Sequence, residues 1–398
     1  MKPKILVTAV VTASALLLSS CGGDAESGSS DSADSTFKVL VVASQTGPLA
    51  ALGKPFLIGL QVAADELNKA GGILGQQVEL KVLDSQSDPT KAVSLLQQEL
   101  ASGDQPDLVW DGTISAETLA LLPVLSQRKI LSIGATGNEA INDPEKYPYT
   151  FHSSAHQATD GMPANVAAMQ ELGCKSVGLL APNDASGEPV RDNYPAGFES
   201  AGLPLTVEEY ATGDIDMTAP LARLESAGVD CVVAFAAGPA APYVIKSRAK
   251  SGWDAPLMLN EAITTDVYNL VSPEELEGVS IHTYAINAYR EPAARTPAYT
   301  SLQAGLKAKG NMEAVLLNYA WPHDLLQLVA MGVRQAGSTD PDQVKQALEN
   351  LEQPAEQDRP YVAYTTMAWS ATDHFIDAGE NDYAVVKSVT PLEDGTWK

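Results

Sequence analysis

Catalysis by a nucleophile needs a serine or cysteine beside a histidine that a carboxylate orients. The five histidines stand at positions 152, 156, 282, 323 and 374, scattered among unrelated segments. No G-x-S-x-G or S-x-x-K signature stands in a setting that would present a reactive serine. His152 and His156 are four apart, but the His-Glu-x-x-His pattern of a helical zinc site is missing and the stretch reads as extended. Cys21, Cys174 and Cys231 are the three cysteines, with neither C-x-x-C nor Cys/His zinc spacing. No catalytic residue, metal or cofactor is expected, and the chain does not read as an enzyme. What remains are short polar clusters at 111–115 (Asp-Gly-Thr-Ile-Ser), 134–138 (Gly-Ala-Thr-Gly-Asn), 183–187 (Asn-Asp-Ala-Ser-Gly) and Asn260-Glu261. Free N–H groups at helix starts hold carboxylates well. This is the chemistry of recognition.

The clusters are positioned by an alternating pattern. Residues 38–43 (KVLVVA) read as a buried strand, 53–70 as a helix with one apolar face, 78–84 as a strand and 89–100 as a helix opened by Asp88-Pro89. Strand 108–110, helix 115–126 and strand 130–133 continue the series. After an extended break at 147–154 the pattern restarts with helix 161–172, strand 176–180 and helix 190–201. It runs on through strand 205–209, helix 218–227, strand 231–235, helix 240–251 and strand 257–260. Residues 278–284 read as extended, 295–351 as mainly helical, and 362–397 as short strands. Strands alternating with helices make parallel, doubly wound α/β sheets, here two lobes with chain left over. In such sheets ligands sit beyond the carboxyl ends of the strands, where all four polar clusters fall. Alone, each reads equally well as a helix cap or turn; four facing one cleft read as a site.

Charge narrows the partners. The 398 residues carry 50 Asp and Glu against 25 Lys and Arg, a net charge of −25, which repels phosphate backbones and excludes nucleic acid as a partner. At the amino end, Lys2 and Lys4 precede an apolar stretch at 5–18, the form of an export signal. Leu18-Ser19-Ser20-Cys21 resembles the lipobox of bacterial lipoproteins, which implies cleavage after residue 20 and a lipid anchor on Cys21. Residues 21–36 contain four acids, no base and no aromatic, so they are expected to form a flexible tether. The expected location is extracytoplasmic, at the cell membrane.

Residues 41–50 (VVASQTGPLA), Gly53 and the helix closing with 68–75 (NKAGGILG) resemble the opening of leucine/isoleucine/valine-type solute-binding proteins, the type I periplasmic binding proteins that feed ABC importers. Asp84, Asp88-Pro89, the stretch 127–132 and the closing 391–397 fit the same pattern. The resemblance implies two α/β lobes joined by three crossings, near 152–154, 283–285 and 367–370. Lobe 1 is then 37–152 plus 285–368, and lobe 2 is 153–284 plus 369–398. It also implies that Ser115 and the loop of Thr136, Gly137 and Asn138 hold a ligand carboxylate, while Glu261 meets its ammonium. Ser186 and Ala237 stand where two pocket tyrosines are frequent, and Leu52 replaces an aromatic at the mouth. Recognition of an amino-acid backbone is therefore expected without branched-chain selectivity. The implied partners are a small-molecule ligand, an amino acid first among them, and ABC permease subunits, with the protein a monomer. Reporting a ligand to a signalling partner, or binding short amides or urea, are the alternatives.

Two further expectations concern single residues. Glu117 reads as a solvated acid of the helix at 115–126. Cys174 precedes one strand of the second lobe and Cys231 opens another. In the strand order 2-1-3-4-5 these two strands are neighbours, about 5 Å apart. An oxidising compartment then favours a structural Cys174–Cys231 disulfide.

Overall fold

The computed structural model describes residues 36–154, 161–236, 240–260, 270–387, 390 and 392–398. Cys21, His156, Ala237 and Glu261 lie outside the described residues. The first sheet contains β1 (Thr36–Ala43), β2 (Gln77–Asp84), β3 (Leu108–Asp111), β4 (Leu131–Gly134) and β5 (Thr150–His152), all parallel, in the order β2-β1-β3-β4-β5. Thr36, expected at the end of the tether, already pairs with Gln77. The second sheet contains β6 (Val177–Pro182), β7 (Leu205–Tyr210), β8 (Cys231–Ala234), β9 (Leu257–Leu259), β10 (Val279–Tyr284) and β11 (Tyr383–Val386). Its order is β11-β10-β9-β8-β6-β7, and only β11 runs antiparallel. Both sheets thus wind 2-1-3-4-5. Strands covered on both faces must be apolar throughout, as Val39, Val41 and Val42 of β1 and the whole of β8 are.

Helices α1 (Ala50–Lys69), α2 (Pro89–Ala101) and α3 (Ser115–Gln127) cross over in the first lobe; α4 (Met162–Glu171), α5 (Glu188–Ser200), α6 (Thr218–Ser226) and α7 (Ala240–Ser251) do so in the second. Asp88 caps α2 by accepting from the N–H groups of Thr90 at 2.8 Å and Lys91 at 3.2 Å, with Pro89 in the first turn where its missing N–H costs nothing. Gly53 lets α1 approach the end of β1: a Cβ there would lie 2.1 Å from the Ser44 carbonyl oxygen.

The helical remainder is α8 (Pro297–Lys309), α9 (Leu316–Ala336) and α10 (Pro341–Glu349). Among the described residues no helix is long and apolar enough to cross a membrane. The 21-residue α9 packs along α1 and is buried on nearly every face. It therefore carries its polar residues inside. His323 lies between Asp324, at 2.8 Å from Nδ1, and Glu66 of α1, at 2.9 Å from Nε2. Asp324 in turn accepts from the N–H groups of Val362 and Ala363 at 2.8 and 2.7 Å.

These last bonds explain a departure from the strands expected over 362–397. Among the described residues of that stretch, β11 is the strand that joins a sheet. Elsewhere buried carboxylates take the backbone N–H groups that a ladder would need, Asp324 as above and Asp382 from Thr365 at 2.7 Å. The passage after residue 368 also follows its own course. Residues 369–376 cling to the end of β5, with His152 N–H donating to the His374 carbonyl at 2.9 Å and Ile376 N–H to that of Ser154 at 3.3 Å. The chain joins the second sheet only at β11. Its last residues then return to the start of α9, where Leu316 N–H donates to Gly395 at 2.8 Å and Trp397 N–H to Asn287 at 2.7 Å.

The Cys174–Cys231 disulfide is present, with Cα atoms 5.9 Å apart across adjacent β6 and β8. It closes a separation of 57 residues, and loop-closure entropy gives ~4 kcal/mol as an upper value for such a loop. Replacing both cysteines by serine lowers the unfolding free energy by up to that amount, read from urea titrations with and without reductant.

His323 supplies a pH dependence. Burial pushes its pKa down, but hydrogen bonds and charge from Asp324 and Glu66 outweigh burial and raise it to about 9. A raised folded pKa means stability that is fully present below the ordinary histidine value and is lost as pH climbs. The melting temperature therefore falls between about pH 6.5 and pH 9, and the His323→Gln variant, less stable at neutral pH, loses that slope.

Candidate functional site

The floor of the cleft is a buried polar network at the carboxyl ends of β3, β4 and β5. Asp111 closes β3 and His152 closes β5, and their side chains meet at 3.2 Å with both fully buried. They meet across Gly134 of β4, where a Cβ would stand 2.3 Å from Asp111 Oδ1 and 2.6 Å from His152 Cε1. Any side chain there would force the pair apart. The Thr136 hydroxyl donates to Thr118 Oγ1 at 3.2 Å, and Thr118 donates to Asp111 at 3.4 Å. His152 Nδ1 lies 3.0 Å from the Thr136 carbonyl oxygen. The loop after β4 is thereby tied to the one after β3.

Glu117 is not a solvated acid: it is fully buried. Its carboxylate accepts from Thr113 N–H at 2.7 Å and from the Ser44 hydroxyl at 3.3 Å. The reason lies in the cap. Ile114 occupies the cap position of α3 and offers no side-chain acceptor, so Glu117 reaches back from the third helical position, much as in a capping box. Ser115 is therefore the first residue of the helix and not its cap. With Glu117 engaged upstream, the first-turn N–H groups of Ser115 and Ala116 have no intrahelical acceptor.

Above this floor the cleft has two adjoining chambers. The inner one, about 130 Å³, is lined from the first lobe by Leu52, Thr113, Ser115, Thr136 and Gly137, and from the second by Ser186, Phe235 and Asn260. Tyr284, Asn318 and Trp321 complete it. The outer chamber, about 650 Å³, shares Leu52, Ser115 and Ser186 and adds Asp184, Ile215 and Tyr243. No charged side chain lines the inner chamber among the described residues.

Five of the residues singled out from sequence thus stand in one chamber: Leu52, Ser115, Thr136, Gly137 and Ser186. Asn138 is engaged elsewhere. Its Nδ2 donates to the Ala185 carbonyl at 2.7 Å and to Glu188 at 3.3 Å, a direct bond from a first-sheet loop to the loop after β6. Ser186 is itself oriented, because both its N–H and its hydroxyl donate to Asp184. Burial pushes the Asp184 carboxyl up, but hydrogen bonds from Ser186 and Thr212 hold it below the usual carboxylate range. The hydroxyl oxygen of Ser186 is left as an acceptor.

The aromatic wall and Asn318 are the residues that spacing alone misses. Trp321 donates through Nε1 to Tyr364 at 3.0 Å, and Tyr364 donates to the Ser153 carbonyl at 2.6 Å. Tyr284 meets Trp321 edge to face, with ring centroids 5.6 Å apart. Asn318 and Trp321 are three apart near the start of α9, so they share a face. An asparagine and a tryptophan at that spacing in an otherwise apolar helix were the available signal.

Two doubly wound sheets presenting their carboxyl ends to one cleft, with walls from both, define a two-lobed solute-binding protein. Residues 36–391 match the family described as periplasmic binding protein, and the chain belongs to that family. Its members are solute-binding proteins, not enzymes, and work outside the cytoplasm. The chain is 28% identical over 331 residues to the Leu/Ile/Val-binding protein homolog 3 of Brucella melitensis, covering 81% of this chain and 86% of that protein. It is 23% identical over 314 residues to the leucine-, isoleucine-, valine-, threonine- and alanine-binding protein of Pseudomonas aeruginosa, covering 79% and 82%. Its fold is similar to a type 1 periplasmic binding protein from Bordetella pertussis, with a TM-score of 0.76 at 22% identity over 88% of this chain and 96% of that one. The substrate-binding protein LivJ from Streptococcus pneumoniae, solved with isoleucine, gives a TM-score of 0.72 at 19% identity over 92% and 98%.

The Asn138 bond generates a prediction. Asn138→Ala removes a direct tie between the two sheets' loops without touching the chamber. Without ligand the protein becomes more extended in small-angle scattering, and ligand affinity falls by about 1–3 kcal/mol, the worth of a neutral hydrogen bond to Ala185 and a longer one to the Glu188 carboxylate.

Proposed function

We propose that this chain is the substrate-binding lipoprotein of an ABC importer, held to the membrane by lipid on Cys21, and that an amino acid is its ligand class. The observation that carries the reading is the meeting of Ser115, Thr136 and Gly137 with Ser186 and Asn260 in one chamber. Hydroxyls and the first-turn N–H groups of α3 suit a carboxylate. Glu261, next in the chain to Asn260, is assigned to the ammonium. The names of the relatives, which specify leucine, isoleucine and valine and in one case also threonine and alanine, support an amino acid. Leu52 and Ser186, where the sequence resemblance implies larger aromatics, argue against simple branched-chain selectivity. The uncharged inner chamber with its carboxamides favours short amides as the second reading.

The lobes are assigned as 37–152 with 285–368 and 153–284 with 369–398, and the protein acts as a monomer that closes on its ligand before engaging the permease. Moving such an equilibrium from mostly open to mostly closed takes ~5.5 kcal/mol of differential binding. Several charge-assisted hydrogen bonds at ~1.5–3 kcal/mol each supply it, provided both lobes contribute.

Titration calorimetry with a panel of amino acids and short amides tests the assignment. Ser115→Ala weakens amino-acid binding by ~1.5–3 kcal/mol. Glu261→Gln abolishes amino-acid binding and spares a neutral amide. Retained amino-acid affinity in the second variant shows that another group meets the ammonium.

A further inference from the structure

Asn318 offers the inner chamber a carboxamide that the protein leaves unused. It lies in the first turn of α9, 3% exposed, and its Nδ2 has no acceptor in the protein. Such a group is costly to bury. Leucine or threonine would fill the same place at less expense, so its presence points outward, to what enters the chamber. The surroundings strengthen any bond it makes. Phe56, Tyr284 and Trp321 line the same space, and a hydrogen bond in such low-dielectric surroundings is stronger than one in water. Across the chamber's second-lobe wall, Asn260 uses its Oδ1 to accept from Ala236 N–H at 2.9 Å, which fixes that carboxamide with its NH₂ as the remaining polar group. Asn318 and Asn260 therefore each bring an NH₂ group without a protein acceptor to the walls of this chamber, with no charged side chain among the described lining residues.

We infer that the end of the ligand entering this chamber carries an oxygen acceptor, a carboxamide or other carbonyl, that takes the Asn318 Nδ2–H bond. A branched aliphatic end is disfavoured because it leaves the amide unpaired. Size limits the group. At about 130 Å³ the chamber is slightly smaller than a cavity of ~150 Å³ that accepts one benzene ring. The inference rests on the cleft being the binding site and goes beyond it by naming Asn318 as a specificity-determining residue. Sites built to hydrogen-bond a substrate group reject an apolar isostere strongly, because the buried partner is then stranded.

Near-isosteric pairs test it: L-asparagine against L-leucine, and L-glutamine against L-homoleucine, each pair differing only at the side-chain end and measured by calorimetry and thermal shift on the mature protein. The expected result is at least tenfold tighter binding of the carbonyl-ended member of a pair, and loss of that preference in Asn318→Leu. Without ligand, Asn318→Leu melts at or above the wild-type temperature, since an unpaired amide is removed; Asn318→Ala serves if the larger side chain does not fold. Preference for the methyl-ended members, or no response to any carbonyl-ended member at millimolar concentration, overturns the inference. So does a carbonyl preference that survives in Asn318→Leu. Ser115→Ala separates the two levels. If it weakens binding while Asn318→Leu does not, only the role of Asn318 falls; if neither variant changes binding, the cleft assignment falls with it.

Discussion

The buried contact between Asp111 and His152 ties the ends of β3 and β5 to the loops and helix around them. A carboxylate at the end of β3 and an imidazole at the end of β5, both out of water, are tolerable only while each satisfies the other and its neighbours. Three consequences follow from that demand. The strand between them must carry glycine at its last position, and Gly134 does. The first turn of α3 and the loop after β4 must fold inward to deliver Thr118 and Thr136. The main chain at His152 is bonded in turn by His374 and by Trp369 Nε1, at 2.9 and 3.0 Å, so the late segment that leads toward the second sheet is moored at the same point. Floor and hinge share one anchor.

That anchor separates what is rigid from what can move. Near a hinge axis, atoms shift little when lobes rotate, and interactions there can persist through opening. The relay from Trp321 through Tyr364 to the Ser153 carbonyl is of this kind. Far from the axis, contacts exist only when the lobes are together, and the Asn138 bond to Ala185 belongs to that class. Among the described residues the rim tie from Asn138 is one neutral bond to Ala185 and one to the Glu188 carboxylate, worth ~0.5–1.5 and ~1.5–3 kcal/mol at most, a small hold for two lobes. On the closure mechanism proposed above, the ligand supplies most of the difference, and that couples occupancy to shape.

Sequence patterning located the elements well where strands are covered on both faces, since β6 and β8 have no polar residue to confuse the period and β1 carries its two, Thr36 and Lys38, only at its start. The disulfide was legible because strand order makes β6 and β8 neighbours. Legibility failed wherever a side chain substitutes for backbone or solvent. Glu117 looked like a surface acid because its partners, Ser44 and the Thr113 N–H, come from loops whose path no periodicity specifies. The strands expected after residue 361 failed for the same cause, as Asp324 and Asp382 take the N–H groups a ladder would use. Asn318 was invisible because a polar residue in a helix counts as surface until α9 is seen to be enclosed.

The placement of aromatic surface carries the comparison with the family one step further. Leu52, on α1, stands where the resemblance implies an aromatic at the mouth, yet the chamber is not short of rings. Trp321 supplies one from α9, a different element. The exchange changes the mechanics as well as the position. A ring at the mouth of a single lobe can adjust to what arrives. Trp321, by contrast, is held by its bond to Tyr364 and its edge contact with Tyr284, both close to the chain's passage between sheets. Its rotamer is fixed before any ligand arrives, so little entropy is lost on binding and little misfit is forgiven. The chamber thus has a preset wall, with Asn318 one turn away on the same helix face and lining the same space.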